Sequence, residues 1–205
     1  VYKRQNREFN FQKEKISEIR YDKNLLTGCV NFFDTNFKNI ILKSSDMICE
    51  DSINIKNSSG IINKIQIDNS YFDALDLDFS KIKINDLKVN NAKNDCIDFS
   101  FGEYEIINAN LKNCGDKGLS VGERSKLNMH NGVIMYSNIG IASKDDAITN
   151  VKNVAMNNMN ICLAAYNKKK EFKGSKLNIK SLNCNQYNTL KQYDRLSAVS
   201  YTHLR

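Results

Sequence analysis

The chain has 205 residues, a formal charge of +7, 9% aromatic residues, and neither Trp nor Pro. That length carries one sizeable core, the low aromatic content argues against a large aromatic-filled sandwich, and the missing proline leaves no punctuated linker. The positive charge is scattered apart from Lys168-Lys169-Lys170, so no basic stripe with interleaved aromatics is present to hold a nucleic acid, and no apolar run is long enough to span a membrane.

Residues 6–26 are charged and ambiguous between a helix and an irregular first coil. From residue 27 to 185 the chain repeats. Cys29-Val30-Asn31-Phe32-Phe33 reads as an early coil offset by one residue. Beyond it a column of small residues recurs every 22 positions: Ser52, Ala74, Cys96, Gly118, Gly140, Cys162 and Cys184. The next position is apolar (Ile53, Leu75, Ile97, Leu119, Ile141, Leu163), and two further on stand Ile55, Leu77, Phe99, Val121, Ser143 and Ala165. A second apolar column holds Ile67, Val89, Leu111, Val133 and Ala155. Asn94, Asp116, Asn138 and Asn160 fall at turns, and Asn69, Asn91, Asn113 and Asn157 form another column, interrupted at Met135.

Alternation of apolar and polar residues over short runs specifies strands. Asn, Asp and Gly end each run because they tolerate left-handed corners. A fixed period of this size means a solenoid, in which each unit buries its apolar face only against its neighbours. The expected fold is all-β: a single-stranded right-handed parallel β-helix of about 22 residues per coil and roughly seven coils, followed by a polar exit segment at 186–197.

The six cysteines include no C-x-x-C pair, and with no partnered histidine a zinc site is poorly supported. A chain long enough for its own core needs no disulfide framework. The cysteines are therefore expected to be buried free thiols, packed as small hydrophobes.

Chemistry is expected on the strand that follows the small column. There Leu75, Leu77, Ile97 and Phe99 point inward, so Asp76, Asp78 and Asp98 point out. Asp51, Asp73 and Asp95 form a neighbouring column whose next member is Lys117. Such a face could bind a glycan or protein partner through Asp76, Asp78, Asp98, Lys144 and Tyr166. It could hold Ca²⁺ on Asp76, Asp78 and Asp98, because calcium takes six to eight oxygens. It could also work as a carboxylate pair on a glycosidic bond. The plainest reading is a solvated face whose charges are balanced by neighbours such as Lys56. His130 lacks an evident partner in the sequence, and Glu123-Arg124 reads as a surface pair.

The coils resemble the right-handed parallel β-helix proteins of the pectin-lyase-like superfamily, over roughly residues 27–185. The segment Asn94-Asp95-Cys96-Ile97, then Cys114-Gly115-Asp116-Lys117-Gly118-Leu119-Ser120-Val121-Gly122, is similar to the D-D-C-I and C-x-G-H-G motifs of polygalacturonases. That resemblance implies acid–base roles for the aspartates. Asp95 matches the second one and Asp98 lies on the same strand. Asn94 replaces the first aspartate, Lys117 replaces the histidine, and the later R-I-K motif has no clear match. Residues 1–5 and 198–205 resemble translated sequencing-adapter tails known from metagenomic assemblies, and are set aside. The +7 charge then loses Lys3, Arg4 and Arg205, and His203 drops out. The same resemblance implies a fragment whose further domains are missing. The expected function is a non-catalytic module of a secreted or envelope protein, presenting an acidic flat face. The alternatives are a polysaccharide lyase or glycoside hydrolase acting on an acidic glycan, using Asp95, Asp98 and Lys117, and a calcium-stabilised structural spacer.

Overall fold

The computed structural model describes residues 7–12 and 25–204, and every paired strand in it is parallel. It is a β-solenoid of about eight turns with about 22 residues per turn. The early coils alternate a long strand with a short one: Gly28–Phe33 (β2), Asn36–Met47 (β3), Asp51–Lys56 (β4), Ser59–Ser70 (β5), Asp73–Asp78 (β6), Lys81–Ala92 (β7) and Ile97–Ser100 (β8). Later coils run both strands together, as Glu103–Gly122 (β9), Lys126–Lys144 (β10), Ile148–Tyr166 (β11) and Lys176–Tyr193 (β12). Arg7–Gln12 (β1) pairs with β3 at one end, and Ala198–Leu204 (β13) pairs with β12 at the other. The strand ladder thus continues through most of 186–197 and into 198–204, while residues 1–5 and 13–24 lie outside the described residues.

The interior follows the columns read from the sequence. Ile53, Leu75, Ile97, Leu119, Ile141 and Leu163 stack in register and are fully buried, and Ile55, Leu77, Phe99 and Val121 stack beside them. No coil could bury these side chains alone; each contributes roughly 1.5–3 kcal/mol only once the neighbouring coil covers it. Corners are made by left-handed residues. One column holds Asp46, Asn69, Asn91 and Asn113, joined by Asn Nδ2 donors to the preceding side-chain oxygen at 2.9, 2.9 and 2.6 Å. A second ladder runs Asn188, Asn160, Asn138, Asp116.

Three expectations are corrected. First, after Leu111 the second apolar column continues through Ile134 and Met156, not Val133 and Ala155. The corner at Glu123-Arg124 uses two left-handed residues where the preceding one uses Phe101 alone, so the register advances by one and Val133 is left 40% exposed. Second, Cys184 does not continue the small column. Residues 167–175 lengthen the last coil, so the Asn178–Asn150 step is 28 residues where Asn150–Asn128 is 22. Leu163 consequently pairs with Lys191, and Cys184 pairs with Met156. Third, the cysteines are not free: Cys29–Cys49, Cys96–Cys114 and Cys162–Cys184 are disulfides. The small column faces across a narrow coil, and that brings Cys96 and Cys114 to a Cα separation of 5.3 Å, within bridging distance.

Candidate functional site: the carboxylate face

The short strands β4, β6 and β8 lay five aspartates on one wall, and Asp95, just before β8, makes a sixth. Asp51 pairs with Asp73, Asp76 with Asp98, and Lys56 with Asp78 across the ladder. The backbone closes the Asp51 column into a chain of local bonds: Asp95 N donates to Asp73 Oδ1 at 2.7 Å, and Lys117 N donates to Asp95 Oδ1 at 3.0 Å. Asn94 Nδ2 donates to the same Asp73 oxygen at 2.7 Å. Carboxylate oxygens of Asp73, Asp95 and Asp98 all lie within 4.8 Å of one another. The calcium triple read from the sequence shares only Asp98 with this group. Asp76 stands beside Asp98 and Asp78 beside Ser100 in the ladder.

Cations gather at one end of the face. Lys117 Nζ lies 3.3 Å from Asp95 and also contacts Asp116, and Lys144 Nζ lies 3.6 Å from Asp98. Burial opposes the charge of both lysines, but the carboxylates of Asp95 and Asp116 for Lys117, and of Asp98 and Asp95 for Lys144, outweigh it. Both stay protonated, with pKa values raised. Tyr166 is half-buried beside these ammoniums, and burial pushes its hydroxyl up. The sequence-selected Asp95, Asp98, Lys117, Lys144 and Tyr166 therefore come together, while Asp76 and Asp78 sit toward the less compensated end.

Burial, then the adjacent Asp95, pushes Asp73 up to about 7. Burial pushes Asp95 to about 6 despite Lys117. Asp51 and Asp76 are raised well above the usual carboxylate range, first by burial; Thr27 Oγ1, which donates to Asp51, pulls the other way. Asp78 is raised by burial against the pull of Lys56.

The sequence reading missed several features of this wall. Glu123 is no surface partner of Arg124: it is buried, accepts from Ser100 Oγ at 2.6 Å and pairs with Lys169. Arg124 instead approaches Asp146 at 3.7 Å. The lengthened loop at 167–175 is pinned by Lys168 N and Lys169 N donating to Asp145 Oδ1 at 2.6 and 2.8 Å. It makes a wall where an uninterrupted chain would have none. Aromatic rings border both edges of the strand: Tyr71 and Phe72 before Asp73, and Phe79 after Asp78, with Phe72 49% and Phe79 53% exposed. Phe72, Phe79 and Phe101 each fall next to a turn in the sequence, and that was the available signal. His130, by contrast, pairs with Glu105 at 3.1 Å in a groove of about 910 Å³ on the long-strand side, which shares no residue with the carboxylate face.

Comparison with family models, with curated proteins and with solved structures returns no match to this chain.

Proposed function

We propose that the solenoid is a non-catalytic glycan-binding module of a secreted or cell-envelope protein, and that the carboxylate face is its contact surface. The carrying observation is the bracketing of that face by exposed aromatic rings at both edges. The six-residue strand between them spans roughly 20 Å, the length of a short oligosaccharide. Hydroxyl-bearing sugars suit a surface of charged acceptors flanked by rings that can stack. The three disulfides support an oxidising compartment. Affinity electrophoresis of the folded chain in soluble polysaccharides should show retardation without release of new reducing ends. New reducing ends or unsaturated products, lost in Asp95→Asn or Asp98→Asn, would overturn the non-catalytic reading.

Catalysis is the second reading, favoured by Asp73 and Asp95 sitting near neutrality, as a general acid requires. The clustered oxygens lie within 4.8 Å of one another, short of the roughly 6.5–9.5 Å that an inverting pair needs for water and nearer the roughly 5–5.5 Å of a retaining pair. Against it, Lys117 is ion-paired to Asp95 and Asp116, which favour its charged form over the free amine that a lyase base requires. A calcium-stabilised spacer is the third reading, resting on the same Asp73, Asp95 and Asp98 oxygens. There Lys117 and Lys144 already occupy Asp95 and Asp98. Calorimetry that detects calcium binding, with a melting temperature lowered by chelator, would favour it over the glycan reading.

A further inference from the structure

One corner column passes through Asp34, Asn57, Phe79 and Phe101, all left-handed, with φ of 50, 50, 48 and 47°. Asp and Asn adopt this conformation readily, whereas other L-residues pay roughly 1–2 kcal/mol for it. A bulky aromatic is therefore a poor choice twice in succession, and Phe79 recovers little by burial, being 53% exposed. The two rings stack face to face, with centroids 4.7 Å apart and 6° between planes. Phe172 of the lengthened loop extends the ridge, 6.0 Å from Phe101, and the Arg124 guanidinium lies 5.4 Å from the Phe172 centroid. Phe101 and Phe172 are half-buried, and neither backbone preference nor core packing accounts for the exposed Phe79 ring at the end of the ridge. Strained residues held in place against local preference concentrate at ligand sites.

We propose that the Phe79–Phe101 ridge is a stacking subsite for a pyranose ring, and that the adjoining carboxylates select a sugar carrying a free amine. The inference rests on the glycan reading and deepens it. The apolar C–H face of a pyranose suits an exposed aromatic face, and an ammonium beside it gains a further cation–π attraction. Phe79 directly follows Asp78, so a ring stacked there carries its substituents over the strand of Asp76 and Asp78. Next in that ladder, Asn54 is fully buried and points at Asp76, its Nδ2 donating at 2.8 Å, while its Oδ1 has no hydrogen-bond partner among the described residues. That orphan oxygen leaves the buried side of Asp76 short of donors. On the accessible side the Asp76 and Asp78 carboxylates face only Lys56 as a neighbouring cation among the described residues, so an ammonium with its three donors is suited to them. A uronic acid would instead add a carboxylate beside groups whose ionisation burial and their acidic neighbours already oppose, with Lys56 as the cation nearest Asp78 in the ladder.

The test is titration calorimetry of the full chain with three probes: the β-1,4-linked hexamers of glucosamine and of N-acetylglucosamine, and the hexamer of galacturonic acid. The glucosamine hexamer should bind at least about tenfold more tightly than either of the others, a difference of roughly 1.4 kcal/mol. The double variant Phe79→Asn, Phe101→Asn should lose at least that factor while its melting temperature holds or rises, because Asn suits the corner. Unchanged affinity in that variant would overturn the ridge. Equal or tighter binding of the acetylated or acidic hexamer would overturn amine selection and leave the glycan reading standing. Failure of all three probes, with no retardation in any polysaccharide, would overturn both.

Discussion

Two stretches of the solenoid fill the same interior corner in opposite ways. In the coils up to Cys114, small residues face small ones: Ser52 Oγ meets Ser70 Oγ at 2.6 Å, Ala74 and Ala92 hold the same two register positions one coil later, and Cys96 and Cys114 are bonded there in the next. Farther along, the small column shrinks to glycine, the facing position passes from Cys114 to Ser137 and then Met159, and the neighbouring Leu111 column continues as Ile134 and Met156. A Cβ on Gly118 would come within 2.6 Å of Ile134 Cγ2, and one on Gly140 within 2.5 Å of Met156 Sδ. At the glycines the neighbouring column packs straight onto the backbone, as a close-packed interior demands. A solenoid repeat is therefore a repeat of backbone, and residue identity is free within the limits of packing.

That comparison can be broken in several places. Replacing both Cys96 and Cys114 by Ala recreates the alanine pair of the preceding coil, so the fold should persist and the loss isolates the cross-link. For an 18-residue separation the loss should be about 3 kcal/mol, read from urea denaturation against the wild type. Gly140→Ala should cost about 1–3 kcal/mol by overpacking. Met156→Ala should not rescue it, because the added Cβ also lies 2.7 Å from the Cys162 carbonyl oxygen.

The outer wall differs between the same stretches, with aspartates at Asp76 and Asp98 giving way to Ser120, Ala142 and Ala164 in the ladder. Asp73, at about 7, and Asp95, at about 6, titrate higher in the fold than unfolded carboxylates do, so the folded state binds more protons across that range. Their contribution is most favourable at low pH and declines as pH rises from about 4 to about 7. The melting temperature should accordingly be higher at pH 5 than at pH 8. Asp73→Asn should reduce the difference, since both bonds made to Asp73 go to one oxygen that an amide retains. The smallest effect is expected for Ser52→Ala with Ser70→Ala: removing both partners of a buried hydrogen bond is nearly neutral, and the melting temperature should hardly move.

The solenoid was legible because its columns are set by a backbone period that composition cannot hide. The small column and the apolar column beside it recur at fixed steps from Ser52 to Cys162, and the structure stacks them so. The second apolar column and the corner column move by one at Glu123-Arg124, the corner column passing from Asn113 to Tyr136 and Asn158 and not through Met135 and Asn157. What escaped was whatever changes the step. The paired left-handed residues at Glu123-Arg124 and the lengthened turn at 167–175 shift the register, and neither carries a proline or a glycine run to announce itself. The lengthened turn even mimicked the period, since Cys184 stands 22 residues after Cys162 while belonging to another column. The disulfides were readable in part: Cys96 and Cys114 occupy positions held one and two coils earlier by alanine and serine pairs. The site was legible as a row of outward aspartates. Its division into a lysine-compensated end and an open end was not, because Lys117, Lys144 and Lys169 reach it from different coils.

The disulfides also determine how the molecule would answer a pull along its chain. A parallel solenoid under tension peels one strand at a time from its end, each released coil adding contour length. Cys29–Cys49 and Cys96–Cys114 close loops of 20 and 18 residues within single coils. At about 3.3–3.6 Å per residue, each withholds roughly 60–70 Å of slack that an unlinked coil would surrender. Two unlinked coils, one through Ser52 and Ser70 and one through Ala74 and Ala92, lie between them. Under load both should extend in full while their locked neighbours give way only in part, and a reducing agent should make the four steps equal.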